Sequence, residues 1–262
     1  MTQGVTDTDA VMFTLNDNDI SQIRFLAAKD FLMVGTATKE YIVRASNPDD
    51  PITPTSDIRA IAKSAHGSGA MQPVFLNDAL FFMQGQGRKI RAYRVRPDLV
   101  EAKADDATLL ANHMFESSPV QFAVQQIPDS ILWVVREDGT LCSFTYEPEE
   151  EVLGWARHIT GSQASSILDG TASPSAKFES VAVIKGERED EVWVIVQRTI
   201  NGSTVRYVEK LMPRIADQID EMVMLDCAKI VESSYEAQNI VYASDTIVYG
   251  YGVYGSGRYG VE

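Results

Sequence analysis

The sequence predicts an all-β chain, propeller-like, with about five hairpin repeats of roughly 50 residues and few short helices. Three observations lead there. Apolar runs rich in Val, Ile, Phe, Trp and Leu recur behind an aspartate, at Asp30, Asp78, Asp129, Asp190 and Asp245. Turn signals follow several of these runs, as Gly85-Gln86-Gly87, Asp138-Gly139 and Asn201-Gly202. The aspartates stand roughly 50 to 60 residues apart, the length of a unit of two to four strands.

The elements follow in order. Residues 1–20 read as an N-terminal arm, 21–226 as the β-propeller-like domain, and 227–262 as a C-terminal strand with a Gly/Tyr-rich tail. Each apolar run is a buried strand by composition. Each leading Asp is expected to tighten its turn by bonding nearby backbone N–H groups. Asp138-Gly139 and Asn201-Gly202 predict two-residue type I′ turns, which need positive φ at both positions. In "TVRYVEKL" the period of two puts Val205, Tyr207 and Glu209 on one face and Thr204, Arg206 and Val208 on the other. Short helices are predicted over Asp105–Phe115, capped by Asp105 or Asp106, and over Pro213–Met222, with Pro213 near the first turn. Ser46–Ser56, with three prolines, and the polar stretch His158–Ala176 read as loops and candidate contact surfaces.

Composition narrows the function. Of 262 residues, 45% are hydrophobic and 23% charged, which suits a globular core and an ordinary surface. The formal net charge of −14 repels phosphate backbones and disfavours tight, non-specific nucleic-acid binding. Cys142 and Cys227 sit among apolar residues, as buried free thiols do, and no Cys/His spacing resembles a zinc site. The N-terminus has no basic region followed by an apolar run, and no stretch is long and apolar enough for a membrane span. Synthesis in a reducing cytoplasm and no membrane partner are expected.

Chemistry-bearing residues are sparse. His66, His113 and His158 fall in different repeats, without a partner at ligand spacing. Asp49-Asp50, Asp105-Asp106 and Glu149-Glu150-Glu151 are acidic clusters that acid/base catalysis or calcium binding could use. Adjacent residues on an extended chain point opposite ways, so solvated loops are the simpler reading. No catalytic motif is present, and neither an enzyme, a cofactor nor a metal is expected. One segment opposes the overall charge. "GRKIRAYRVR" carries Arg88, Lys89, Arg91, Arg94 and Arg96, the candidate DNA- or subunit-contact residues. On a strand, Arg94 and Arg96 share a face with Arg88, and Lys89 and Arg91 take the other. Pairing with carboxylates of a neighbouring subunit or blade is the favoured role.

Several phrases together resemble a known family. "RFLAAKDFLMVGTATKEYIV" looks like its first hairpin, with a strand ending at Gly35 and returning through Glu40-Tyr41. "PITPTSDIRAIAKSAHGSGAMQPVFLNDALFFMQGQGRKIRAY" looks like its Pro-Thr-Pro loop, Gly-x-Gly and Gln-Pro elements and basic strand. "ADDATLLANHMF" matches through Asp106, Thr108 to Ala111 and His113. "QQIPDSILWVVREDGTLCSFTYEPEEEVLGWARH" and "ESVAVIKGEREDEVWVIVQRTINGSTVRYVEKL" match best. The chain, over roughly Ile23–Asp226, resembles tail structural proteins of tailed phages and prophages, the "stabilisation", nozzle or tail tubular type. It departs from them at both ends. The resemblance implies a virion tail protein, not an enzyme, that forms a ring around the DNA exit path. The ring would be of six copies, docking on adaptor or portal-side and distal tail proteins while DNA passes without sequence-specific binding. The alternative is a glycan- or receptor-binding propeller at the tail tip, with Tyr249, Tyr251, Tyr254 and Tyr259 stacking on sugars. A hydrolase using Asp105, Asp106 or Glu149 is the third reading.

Overall fold

The structure, a computed structural model, describes residues 6, 9–15, 21–29, 31–47, 50–96, 101–160, 176–200 and 202–214. Over the described residues the fold is all-β, with four antiparallel sheets of three or four strands. The chain divides into two compact units, residues 1–122 and 123–262.

In the first unit, one sheet holds β1 (Ile23–Ala28), β2 (Leu32–Thr36), β3 (Glu40–Ala45) and β4 (Ile58–Ser64). A second holds β5 (Val74–Leu76), β6 (Ala79–Met83), β7 (Ile90–Arg96) and β8 (Glu101–Asp106). In both, strands adjacent in sequence are adjacent in space. The two sheets share a core in which Phe25, Met33 and Ile42 meet Leu80, Phe82, Tyr93 and Ala104. The Phe25 and Phe82 rings lie 5.7 Å apart, and Phe82 meets Tyr93 edge-on at 6.4 Å. Gly35 makes room for Phe25, whose ring would stand 2.3 Å from a Cβ there. Val34, Tyr41 and Val43 bury the other face of the first sheet, with Leu15 of the N-terminal arm against them.

The next sheet holds β9 (Pro119–Gln125), which straddles the division between the units, β10 (Ile131–Arg136), β11 (Leu141–Glu147) and β12 (Val152–His158). The last holds β13 (Ala176–Lys185), β14 (Asp190–Ile200) and β15 (Ser203–Lys210). Ile131, Trp133, Val135 and Leu141 pack on Phe178, Val181, Val192, Val194 and Val196 to form the second unit's core. The period of two turns Leu132, Val134, Cys142, Phe144 and Tyr146 to the opposite face of their sheet, where they are also buried. Phe144 stacks there on Trp155 at 4.6 Å.

The repeat is therefore a meander sheet, and the Asp-led strand (β2, β6, β10 or β14) is the second strand of each. The apolar run marks that inner strand because two neighbours flank it. The expected fifth unit, at Asp245, lies outside the described residues, as does Asp30. The aspartates do not share one job. Asp78 closes a two-residue turn with Asn77 at φ 53. Asp129 pairs with Arg214 at 2.6 Å, and Asp190 reaches the distant Gln126–Ile127 segment just after β9.

Other expectations are corrected. The helix over Asp105–Phe115 is absent: Asp105 and Asp106 end β8, a turn follows, and one 3-10 turn covers Asn112–Met114. The Asp106 carboxylate accepts the Thr108 N–H at 3.0 Å and its hydroxyl at 2.7 Å, a local closure that competes with helix. Of the second predicted helix, Pro213 and Arg214 are not helical and residues 215–222 lie outside the described residues. The Asp138-Gly139 turn is not type I′. Gly139 alone has positive φ (86°), and its N–H donates to the Arg136 carbonyl at 2.9 Å. Around Asn201-Gly202, Ile200 pairs with Ser203 across a two-residue loop; Asn201 itself lies outside the described residues.

Candidate functional site

The basic segment enters β7, between β6 and β8. Lys89 Nζ lies 2.5 Å from Asp106 Oδ2, and Arg94 Nη2 lies 2.7 Å from Asp105 Oδ2. Lys103 adds a second cation to Asp105 at 2.7 Å. Arg91 donates to Gln84 Oε1 at 3.0 Å and to the Ala104 carbonyl at 3.3 Å. The carboxylates thus come from the adjacent strand of the same sheet. Arg88 is exposed in the β6–β7 turn, and the Arg96 side chain lies outside the described residues.

This pairing sets the charge state of the acidic couple. Burial opposes ionisation of Asp105, but hydrogen bonds and charge from Lys103 and Arg94 outweigh it, so its pKa is lowered. Asp106 behaves alike: burial opposes, and Lys89 and Thr108 prevail. Both carboxyls are held ionised, unlike a general acid, which needs a raised pKa. Glu149 stands exposed in the β11–β12 turn. Among the described residues, no group of three His, Cys, Asp or Glu side chains is placed to hold a metal ion.

Two buried carboxylates act as latches; sequence marked Asp190 only as a turn-tightening residue and Glu40 only as the start of a strand. Glu40, 3% exposed at the start of β3, accepts the hydroxyls of Ser64 (2.5 Å) and Ser68 (3.0 Å) and the His66 N–H (3.4 Å). It anchors His66-Gly67-Ser68-Gly69, which laces the first unit's sheets together. The Ser68 N–H donates to the Thr36 carbonyl at 2.8 Å, and the Gly69 N–H to the Met83 carbonyl at 2.7 Å. Gly67, at φ 70°, passes so close that a Cβ would stand 2.3 Å from the Ala37 carbonyl. In the second unit Asp190, 4% exposed, accepts the N–H groups of Gln126 (2.7 Å) and Ile127 (3.2 Å) and the Lys185 ammonium (3.0 Å). Burial raises its pKa, but these bonds win and hold it below the ordinary value.

The second unit also contains a cleft of about 1420 Å³ between its two sheets. Trp133, Ser143, His158, Thr160, Arg198 and Glu209 are among its lining. His158 Nε2 lies 2.8 Å from the Ser143 hydroxyl, and its ring sits 5.3 Å from that of Trp133. Trp133 donates its indole N–H to Gln125 Oε1 at 3.0 Å. Arg198 forks onto the Glu209 carboxylate and donates to the Thr160 hydroxyl at 2.9 Å. Trp133 is thus an internal packing residue. Trp193 lies half-buried on the opposite face of its sheet, under the Lys210 ammonium at 5.8 Å, and fills no space between the two sheets. His113 is exposed in the 3-10 turn. Asp49, Cys227 and the four tail tyrosines lie outside the described residues.

No protein-family model matches this chain, and no curated protein shows significant similarity to it.

Proposed function

We propose that the chain is a structural component of a phage tail, nozzle-like, whose sheets are propeller blades and whose copies close into a ring around the DNA exit path. The observation that carries this reading is the repetition of one meander, β1–β4, β5–β8 and β9–β12, each with an Asp-led inner strand. Four-strand meanders are the unit from which propellers are assembled. The phrases that resemble tail proteins fall on these same strands.

The electrostatics fit the role. A net charge of −14 gives passing DNA little to hold. The cations that oppose it, Lys89 and Arg94, are already engaged by Asp106 and Asp105. Identical copies would meet head to tail, the geometry that closes rings; six is the number the resemblance implies. Adaptor or portal-side and distal tail proteins would be its neighbours.

Immunogold labelling of purified particles with an antibody to this chain tests the proposal. Gold clustered at the tail, below the head vertex, is expected. Protein abundant in infected cells but missing from intact particles would overturn it and return attention to a glycan- or receptor-binding propeller.

A further inference from the structure

The cleft of the second unit has a polar mouth that the ladders build. Arg198 on β14 pairs with Val205, so Val205, Tyr207 and Glu209 share its side of the last sheet. Val194 and Val196 carry that same side into the core, which puts Arg198, Tyr207 and Glu209 on the side that faces the cleft. On the opposing sheet Leu141 pairs with His158 and Ser143 with Ala156, which sets Ser143 and His158 side by side on the cleft wall. These groups are fixed in advance. Ser143 is 8% and Thr160 3% exposed, yet both hydroxyls are bonded: Ser143 with His158 Nε2 at 2.8 Å, and Thr160 as acceptor from Arg198 at 2.9 Å. Arg198 also forks onto Glu209 and lies 5.6 Å from the centre of the Tyr207 ring, which is 43% exposed.

We infer that this cleft binds a neutral saccharide. Charge selects against ionic ligands. The lining holds five cationic and five carboxylate side chains, and four of the cations are paired: Arg198 with Glu209, Lys185 with Asp190, Lys210 with Glu191 and Arg214 with Asp129. A phosphate or carboxylate would have to compete with these pairs, and an uncharged ligand would not. Hydroxyl-rich chemistry suits the mouth. A carboxylate oxygen keeps acceptor capacity beyond one bond, and a hydroxyl both donates and accepts, so Glu209, Ser143 and Thr160 can each meet a sugar hydroxyl. The C–H face of a pyranose offers the flat apolar surface that the Tyr207 ring can cover. The volume of about 1420 Å³ exceeds the roughly 300–1,000 Å³ of a small-molecule pocket and leaves room for more than one sugar ring. The inference does not depend on the tail-protein reading and uses none of the tail tyrosines.

Titration of the nitrogen-labelled full chain with glucose, galactose, N-acetylglucosamine and maltotriose, followed by amide NMR, tests it. At least one sugar is expected to give saturable shifts at Ser143, His158, Thr160, Arg198 and Tyr207, with a dissociation constant in the millimolar range. Tyr207→Ala should weaken binding about tenfold or more. Val208→Ala, on the other face of the same strand, should leave it unchanged. Both residues are exposed, so neither variant threatens the fold. No saturable shift with any of these sugars up to about 100 mM would overturn the inference. So would shifts that map outside the cleft, or binding that survives Tyr207→Ala intact. Tighter binding of glucose phosphate than of glucose would also overturn it, by assigning the cleft to an anion.

Discussion

The Asp190 carboxylate accepts the backbone N–H of Gln126 at 2.7 Å, joining two positions 64 residues apart in sequence. The bond ties the start of β14 to the end of β9. Its folded pKa lies below the ordinary carboxylate value, so the sign is that of a depressed acid. The stabilisation is complete above about pH 5 and is lost as pH falls through the folded value. Asp190→Asn should cost about 1–3 kcal/mol near neutral pH. It should also flatten the acid limb of stability measured by urea unfolding between pH 3 and 7. An unchanged acid limb would remove Asp190 from the titration.

Two glycines at positive φ separate strain from crowding. At Gly139 a Cβ would meet Lys177 Cβ at 2.5 Å, and the Gly139 carbonyl takes the Phe178 N–H at 2.8 Å; at Gly202 nothing lies within 4 Å. Gly202→Ala should cost about 1 kcal/mol, the left-handed penalty alone. Gly139→Ala should cost clearly more, about 2–4 kcal/mol, because backbone must shift as well. Thermal melts of the two variants give the comparison.

Asp106 does more than balance Lys89. Asp106→Ala removes the acceptor of both Thr108 donors and should cost about 1–2 kcal/mol. Arg94→Ala leaves Asp105 with Lys103 and should cost under about 1 kcal/mol, as half-exposed pairs do. Arg88→Ala should leave stability unchanged, since the side chain is exposed. Urea midpoints rank the three.

Cys142 should be inert in the native protein. It is fully buried, and burial pushes its thiol up to about 11, with Arg136 acting in the opposite direction. Mass spectrometry after brief alkylation at pH 8 should find the Cys142 peptide unmodified until denaturant is added. Fast native labelling would show that the β11 core opens.

Much of this fold was legible because the inner strand of each sheet is the most apolar. "DSILWVVR" and "DEVWVIVQR" announce β10 and β14 by composition. The outer strands were harder: β8 is "EAKADD", whose charges suit a sheet edge and whose Asp pair reads equally as a helix cap. The basic strand was visible, but its neutralisation was not, because Asp105 and Asp106 meet it only through the β7–β8 register, Arg91 opposite Asp106. Glu40 and Asp190 were read as part of a strand and of a turn. Their partners lie in other strands and loops, and spacing along the chain carries no trace of such bonds.

The meander order has a consequence for synthesis. Within each sheet every strand after the first bonds its immediate predecessor, so hydrogen bonding within a sheet requires no residue still to be made. The β1–β4 sheet can form once residues 23–64 have left the ribosome, before the later sheets are complete, and each later sheet follows in turn. The contacts that must wait for a later sheet are Gly69 to Met83 and Asp190 to Gln126. Once residues 23–106 have emerged from the ribosome, both sheets of the first unit have all their strands. The Gln126–Ile127 segment, once emerged, would keep its N–H groups open until Asp190 arrives.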